Sequence, residues 1–191
     1  MPIAGKKGTK GFTDRKGFVV WITGLPGSGK TTIANELGPM LQEKGLEVEV
    51  FDGDWVRKEL SPDLGFTKED RELHNKRVIH MSKLLAKHGV AVIVCLISPY
   101  REVRRYAREQ IGQVGGFVEV WAKASLEACI KRDPKGLYAK ALKGEIKDMT
   151  GVQHPYEEPE NPEVVLETEQ QTPVQSAESV MQQLGRLGYL C

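Results

Sequence analysis

The strongest constraint on the fold is a glycine-rich segment that follows a short apolar run. Residues 24–31 read Gly-Leu-Pro-Gly-Ser-Gly-Lys-Thr and match the pattern G-x-x-x-x-G-K-[ST]. The apolar run Val19–Ile22 predicts a strand before it, and the amphipathic pattern of Thr31–Lys44 predicts a helix after it. Such a turn directs backbone N–H groups and a helix N-terminus at phosphate oxygens. We therefore predict a nucleoside triphosphate site formed by Gly24, Leu25, Pro26, Gly27, Ser28, Gly29, Lys30, Thr31 and Thr32.

Two residue types within and beyond this loop point to phosphoryl chemistry. Lys30 is placed to reach the β- and γ-phosphates, and the Thr31 hydroxyl is a ligand suited to Mg²⁺. Asp52 and Asp54 end the second predicted strand and face the same side of an extended segment. One carboxylate could orient or deprotonate an acceptor hydroxyl, and the other could hold Mg²⁺. The alternative is a polar turn in which an aspartate caps a helix that begins at Trp55.

Strand and helix patterns alternate along the rest of the chain. Alternation of this kind predicts an α/β fold with a parallel five-stranded sheet flanked by helices on both faces, and the glycine-rich motif makes it the P-loop NTPase type. The predicted strands are Phe18–Thr23, Leu46–Phe51, Val90–Ser98, Phe117–Ala122 and Glu163–Thr168. The predicted helices are Thr31–Lys44, Lys68–His88, an exposed Tyr100–Ile111, Leu126–Lys131 capped by Ser125, and Ala177–Leu187 capped by Ser176. We expect one domain over residues 17–191, a flexible basic leader over residues 1–16, and a Gly/Pro-rich lid over about residues 133–162.

Further polar residues suggest how a second substrate would be held. Arg57, Phe66, Arg71 and His74 could form a basic patch with a ring for stacking on a base, although scattered surface charge is the alternative. Arg132 opens the predicted lid and could stabilise the transferred phosphoryl group, although a solvated loop has the same composition.

Ser98 follows the third predicted strand, at the edge of the sheet where ligands bind. It could take part in the site directly. The alternative is a serine that caps the helix predicted to begin at Tyr100.

Composition narrows the remaining classes of function. The 191 residues carry a net charge of +1, so no overall field favours nucleic acid or an anionic membrane. The longest apolar run, Val90–Ile97, is too short to cross a bilayer. Cys95, Cys129 and Cys191 have no metal-type spacing and fit a reducing compartment, so we expect a cytoplasmic protein.

Taken together, these segments resemble the adenylylsulfate kinase (APS kinase) family over roughly residues 16–188. The glycine-rich segment 24–31, here called the phosphate loop, is generic by itself, whereas the order of the other elements is specific to that family. The stretches that carry the resemblance are GFVVWITGLPGSGKTT, FDGDWVR, DLGFTKEDR, VIVCLISPYREVR, KRDPKGLYAKALKGEIKDMTGV and PYEEPENPEVVLET.

The resemblance implies ATP-dependent phosphorylation of the 3′-hydroxyl of adenosine 5′-phosphosulfate (APS) in sulfate assimilation. It implies that Arg57 and Arg71 bind the phosphosulfate end, that Phe66 packs on the adenine, and that Ser98 matches a position described as a phosphoserine site. It also implies a homodimer, with possible coupling to ATP sulfurylase. The remaining residues that the resemblance places at the acceptor are Asp54, His74, Ile97, Lys135, Gly136, Leu137 and Met149.

Two of these positions depart from the family pattern. His74 stands where many members have asparagine, and Met149 replaces an aromatic residue that sandwiches the acceptor adenine with the equivalent of Phe66. Another small-molecule kinase of the same fold and a catalytically inactive nucleotide-binding protein are the alternatives. A GTPase is disfavoured, because no NKxD-like tetrapeptide occurs.

Overall fold

The computed structural model describes residues 16–190, in which strands and helices alternate. Within that range the strands are β1 Phe18–Thr23, β2 Val48–Asp52, β3 Ala91–Cys95, β4 Gly116–Lys123 and β5 Val164–Glu167. The helices are α1 Lys30–Glu43, α2 Gly53–Leu60, α3 Lys68–Lys87, α4 Arg101–Gly112, α5 Leu126–Arg132, α6 Leu137–Leu142 and α7 Pro173–Arg186. Except for Lys16, the predicted basic leader lies outside the described residues.

The strands form one parallel sheet in the order β2-β3-β1-β4-β5. The central strand β1 pairs with β3 on one side and β4 on the other, so that Val20 lies between Ile93 and Val118. The prediction of a parallel five-stranded α/β fold is confirmed. Because all strands run the same way, the carboxyl ends of β1, β2 and β3 meet at one edge, where ligands bind in such sheets.

Each face of the sheet carries its own hydrophobic core. Successive side chains of a strand point to opposite faces. Ile22 therefore packs with Leu37 of α1 and Leu184 of α7, whereas Trp21 packs with Val78 of α3 on the other face. All six residues of β1 are buried, which fixes the strand that leads into the phosphate loop.

The third strand is shorter than predicted. It ends at Cys95, although the Leu96 N–H still donates to the Ile22 carbonyl at 3.3 Å. The chain then leaves the sheet, because Ser98 has a φ of 42°, a left-handed conformation that a strand does not contain. The residues that were predicted to continue β3 instead form the wall of a cavity.

Two helix predictions also need correction. The last helix begins at Pro173 rather than Ala177, and Thr172 rather than Ser176 caps it through a reciprocal pair of hydrogen bonds with Gln175. Proline suits the first turn because its missing N–H would have no partner there. Helix α4 is not simply exposed, since its inner face, including Arg104, is buried.

The segment predicted as a lid has two structurally different parts. Helix α6 lies within it, so the segment is not a structureless loop. Its distal part is tied to the domain, because the Glu157 carboxylate accepts the Arg101 N–H at 2.7 Å and the Glu157 carbonyl accepts from Arg104 at 2.6 Å. Movement of about residues 133–162 as a lid stays a prediction.

The ion pair between Arg104 and Glu119 predicts a large effect on stability. The Arg104 Nε and Glu119 Oε1 atoms lie 2.8 Å apart, and the two side chains are 2% and 10% exposed. We expect Arg104→Leu to lower the free energy of unfolding by about 3 kcal/mol, because it leaves buried acceptors unpaired. Urea denaturation measures this loss, and Arg105→Leu, at a 72% exposed side chain, is the control with an effect below about 0.5 kcal/mol. Equal midpoints for the two variants would contradict the prediction.

Candidate active site

A cavity of about 1060 Å³ opens at the edge of the sheet where β1, β2 and β3 end. It brings together residues that are scattered along the chain. The predicted site residues that line it are Pro26, Gly27, Ser28, Gly29, Lys30, Thr31, Thr32, Asp52, Asp54, Arg57, Phe66, Arg71, His74, Ile97, Ser98, Arg132, Lys135 and Leu137. Most of the predicted site residues therefore line one continuous cavity.

The phosphate loop has the backbone shape expected of an anion cradle. Gly27 and Gly29 adopt φ values of 75° and 96°, which side chains beyond glycine rarely accept. The Ser28 N–H donates to the Leu25 carbonyl at 3.1 Å and closes the turn. Helix α1 begins at Lys30, and the N–H groups of a first helical turn have no intrahelical partners. The positive end of α1 therefore faces the cavity.

Lys30 folds back over its own loop. Its Nζ atom donates to the Gly24 and Leu25 carbonyls at 2.9 and 2.8 Å. Gly24 and Leu25, predicted to bind the nucleotide, do not themselves line the cavity. The residue is 9% exposed, and burial lowers the pKa of Lys30 to about 8. A phosphate beside this ammonium would favour its charged form.

Asp52 faces both the loop and helix α2. Its Oδ2 atom accepts the Thr31 hydroxyl at 2.7 Å, and its Oδ1 atom accepts the Asp54 N–H at 3.0 Å. Burial raises the pKa of Asp52, but hydrogen bonds from Thr31 and from the Asp54 and Trp55 amides outweigh it and lower the pKa below its ordinary value. Asp52 is thus both the N-cap of α2 and an ionised group beside Thr31, so the two interpretations of this motif are compatible, although the helix begins at Gly53 and not at Trp55.

Asp54 and Lys135 close the cavity from opposite sides. Asp54 lies in the first turn of α2, and its exposed carboxylate forms an ion pair with Lys135, which precedes α6. Arg132 lies at the edge of the phosphate loop. It donates to the Gly27 carbonyl at 3.4 Å and to the Thr168 carbonyl at 2.6 Å.

The wall opposite the phosphate loop carries two cations around an aromatic ring. The Arg57 and Arg71 guanidinium carbons lie 5.0 and 5.6 Å from the centroid of the Phe66 ring, which is 59% exposed. Arg71 also donates to the Phe66 carbonyl at 2.9 Å and to the Asp148 carbonyl. Burial lowers the pKa of both guanidinium groups, yet arginine stays protonated at neutral pH. The wall can bind an anion and stack on a planar base.

His74 lines this wall but does not add to its charge. Its Nδ1 atom lies 2.9 Å from the Ser61 hydroxyl, and the residue is 6% exposed. Burial first, and then the positive charges of Arg57 and Arg77, lower the pKa of His74 to about 4. The prediction that His74 belongs to a basic patch is therefore wrong, because the imidazole is neutral at physiological pH.

Ser98 is held in the cavity wall by two side chains that sequence reasoning missed. Its hydroxyl accepts the Trp21 Nε1–H at 3.0 Å and donates to Asn75 Oδ1 at 3.2 Å. Tyr100, not Ser98, is the N-cap residue of α4, and its side chain forms no capping hydrogen bond. The first N–H of the helix, that of Arg101, is instead accepted by the Glu157 carboxylate. The interpretation of Ser98 as a capping residue is therefore wrong.

Two predicted acceptor residues do not line the cavity. Met149 is 5% exposed and belongs to a separate hydrophobic cluster with Cys129 and Tyr138, so its side chain is not placed to sandwich a base with Phe66. Gly136, at φ 64°, precedes α6 and positions its neighbours without reaching the cavity itself.

The cavity also includes residues around Arg132, which donates to Thr168. Thr168, Gln171 and Pro173 line this part, and no motif in the sequence singled them out. Their position next to the phosphate loop leaves room for the rest of a nucleotide. Only the strand β5 and the loop after it could have indicated them, because such loops lie at the same sheet edge.

Residues 16–190 contain neither a metal-binding side-chain cluster nor a membrane-spanning helix. No group of three or more His, Cys, Asp or Glu side chains in that range could hold a metal ion. None of the helices in the described part of the chain combines the length and apolarity needed to cross a membrane.

The chain is similar to adenylyl-sulfate kinases from several organisms. A probable adenylyl-sulfate kinase of Pyrococcus abyssi is 54% identical over 175 residues, which cover 92% of this chain and 99% of that protein. The structure of the Mycobacterium tuberculosis APS kinase in complex with AMPPNP and APS superposes with a TM-score of 0.86 at 41% identity, covering 90% of this chain and 99% of that one. A hexameric APS kinase from Thiobacillus denitrificans gives a TM-score of 0.72 at 32% identity, covering 93% of this chain and 30% of that one.

The family model described as adenylylsulphate kinase matches residues 16–167, which contain the phosphate loop, Asp52, the Phe66 wall and Ser98. These matches confirm the resemblance found in the sequence and identify the chain as a kinase. The protein belongs to the adenylylsulfate kinase family.

Proposed function

We propose that this protein transfers the γ-phosphate of ATP to the 3′-hydroxyl of APS, giving 3′-phosphoadenosine 5′-phosphosulfate and ADP. One observation carries the proposal. A single cavity joins the Lys30 loop to the Arg57, Phe66 and Arg71 wall, with Asp52 between them. A kinase needs this arrangement, because donor and acceptor must lie in line for direct transfer.

The donor side accounts for the triphosphate. The loop amides and Lys30 would bind the β- and γ-phosphates, where the ammonium stabilises charge that spreads over the transferred group. Arg132 lies at the margin of the loop, next to the part of the cavity lined by Thr168 and Gln171. The nucleoside of ATP would occupy that part, opposite the acceptor. The AMPPNP bound to the Mycobacterium relative supports a nucleotide donor.

Thr31 and Asp52 fit a magnesium ion that arrives with the phosphates. Their side-chain oxygens lie 2.7 Å apart at the cavity, and Mg²⁺ is commonly held by one or two protein oxygens together with substrate phosphates. When bound, the ion would neutralise charge on the β- and γ-phosphates. Thr31 and Asp52 would hold it directly or through water.

The acceptor side accounts for a phosphosulfate and a base. Arg57 and Arg71 would pair with the anionic end, and the exposed Phe66 ring would pack on the adenine. Asp54 lies one helical turn from Arg57 and would orient the attacking hydroxyl and accept its proton as the bond to the phosphorus forms. Lys135 would then move from Asp54 to the substrates, so that the predicted lid closes over the reaction and excludes water.

Several finer features belong to the same proposal. We expect a homodimer in the cytoplasm that receives APS from ATP sulfurylase, and the hexameric relative supports self-association within the family. A screen of acceptors with Mg·ATP tests the central assignment by identifying which hydroxyl gains phosphate. Equal use of AMP or gluconate would favour another kinase of the same fold, and ATP binding without turnover of any acceptor would favour an inactive nucleotide-binding protein.

The lowered pKa of Lys30 predicts a pH dependence of ATP binding. Only the protonated ammonium pairs with phosphate, and it loses its proton near pH 8 in the free protein. We expect constant affinity below this pH and a loss of about tenfold per pH unit above it. Calorimetric titration from pH 7 to 9.5 measures the effect. Lys30→Met should bind ATP weakly with no such dependence, and constant wild-type affinity up to pH 9.5 would contradict the assignment.

Asp52→Asn separates chemistry from nucleotide binding. Asparagine still caps α2, so the fold is retained while the charge beside Thr31 is lost. We expect kcat to fall about a hundredfold and the Kd for ATP to change by less than about threefold. Asp63→Asn is the control, because Asp63 pairs with Arg77 and does not line the cavity. Unchanged turnover in Asp52→Asn would remove this carboxylate from the mechanism.

Arg71→Ala tests the acceptor wall. Loss of a charge-assisted contact should raise the KM for APS about tenfold to a hundredfold and leave the KM for ATP nearly unchanged. Arg77→Ala is the matched control on the same helix. Arg77 pairs with Asp63, with 2.6 Å between the Nη1 and Oδ1 atoms, and neither residue lines the cavity. Steady-state kinetics with each substrate varied distinguishes them. A parallel rise in both KM values would place Arg71 outside the acceptor site.

A further inference from the structure

We infer that Tyr138 is a positioning residue whose hydroxyl aims the Gly27 N–H at the phosphates of the donor. The inference deepens the proposed ATP site and rests on it. Tyr138 belongs to helix α6, far from the phosphate loop in sequence, and the structure brings its hydroxyl to within 3.0 Å of the Pro26 carbonyl oxygen. Its role would be exerted through the backbone of the loop and not through direct contact with a reacting atom.

The side chain of Tyr138 is fixed by its surroundings. It is 1% exposed and lies in a hydrophobic cluster with Cys129, Ala141 and Met149, against which Leu25 of the phosphate loop packs. The O–H donates to the Pro26 carbonyl, which forms no other hydrogen bond within residues 16–190. This cluster thus packs against the phosphate loop and contains Met149, and Tyr138 also lines the cavity beside the loop.

The direction of the Gly27 N–H follows from the geometry of the peptide group. In a trans peptide the carbonyl oxygen and the following N–H point in opposite directions, and the described residues contain no cis bond. With the Pro26 oxygen directed at Tyr138, the Gly27 N–H must point away from it. Among the described residues that N–H has no acceptor, whereas the Ser28 N–H is already bonded to Leu25. The Gly27 N–H is therefore available to a ligand.

A hydrogen bond at this point can decide the orientation, because glycine makes rotation of the peptide easy. Gly27 has a φ of 75° and can also adopt other conformations at little cost. The carbonyls on either side of it are bonded to Tyr138 at 3.0 Å and Arg132 at 3.4 Å. The Tyr138 bond is the shorter of the two and the more deeply buried. Without it, the Pro26–Gly27 peptide could rotate and present its oxygen to the phosphates.

The start of helix α6, which carries Tyr138, is itself fixed by hydrogen bonds. The Asp133 carboxylate accepts the Tyr138 N–H at 3.1 Å and the Ala139 N–H at 2.9 Å. Lys135, which lies between Asp133 and Tyr138 in the sequence, forms the ion pair with Asp54 on the acceptor side. One short segment therefore contacts both the donor loop and the acceptor carboxylate, although only the Tyr138 contact bears on the amide of Gly27.

Tyr138→Phe removes the hydroxyl and keeps the ring. We expect the full-length variant to bind ATP about fivefold more weakly, because one backbone donor is no longer held in place. Inorganic tripolyphosphate should lose affinity by the same factor, since it contacts only the phosphate cradle. The Kd for APS, measured without nucleotide, should change by less than about twofold. Isothermal titration calorimetry on the wild type and the variant measures all three.

Two controls separate positioning from general effects. Tyr106→Phe changes a partly exposed tyrosine on α4 that does not line the cavity. Ile111→Val removes a buried methylene from the core on the Trp21 face of the sheet. It should lower the free energy of unfolding by about the same amount as Tyr138→Phe without weakening the binding of ATP. Both variants should bind ATP and tripolyphosphate as the wild type does.

Each remaining outcome has a distinct meaning. Unchanged affinity of Tyr138→Phe for ATP and tripolyphosphate would overturn the inference while leaving the proposed function intact. Equal weakening of APS and ATP, or the same loss in Ile111→Val, would also overturn it, because it would indicate a general structural change. Failure of the wild type to bind ATP would instead defeat the proposed function itself.

Discussion

The site depends on keeping one cation, the Lys30 ammonium, buried just beyond the carboxyl end of the central strand β1. Burying the charge of Lys30, a residue that is 9% exposed, would be costly without hydrogen-bond partners, and the carbonyls of Gly24 and Leu25 supply them. The same turn that directs these oxygens toward the lysine directs amides toward the cavity. Because β1 is buried along its whole length and paired on both sides, the hydrophobic core determines where this loop stands.

The cations of the acceptor wall, like Lys30, form contacts within the protein that substrate binding would replace. Arg71 donates to the Phe66 and Asp148 carbonyls, and Lys135 pairs with Asp54. The net affinity for an anionic acceptor is therefore the difference between these internal contacts and those with substrate. The contacts also tie the segment around α6 to the wall, so that binding of the acceptor and rearrangement of this segment would be coupled.

The sequence predicts most accurately what is local. The strand, the glycines and the helix of the phosphate loop lie within one continuous stretch, and each has its own short-range signal. Ser98 differs, because its conformation depends on Trp21 and Asn75, which lie far from it in the chain. The charge of His74 likewise depends on its burial and on its proximity to Arg57 and Arg77, and no motif encodes that packing. Site membership could be predicted from pattern and resemblance, whereas protonation and orientation required the packed structure.

The environment of Ser98 bears on how the phosphoryl group moves. A φ of 42° at a non-glycine residue costs on the order of 1–3 kcal/mol, and it persists here because the Ser98 carbonyl accepts from Arg104 at 2.5 Å while its hydroxyl bonds to Trp21 and Asn75. A serine nucleophile needs a base to take its proton. The Asn75 carboxamide, to which this hydroxyl donates, is too weak a base for that task. The geometry therefore favours direct transfer between the two substrates, with Ser98 shaping the wall beside them.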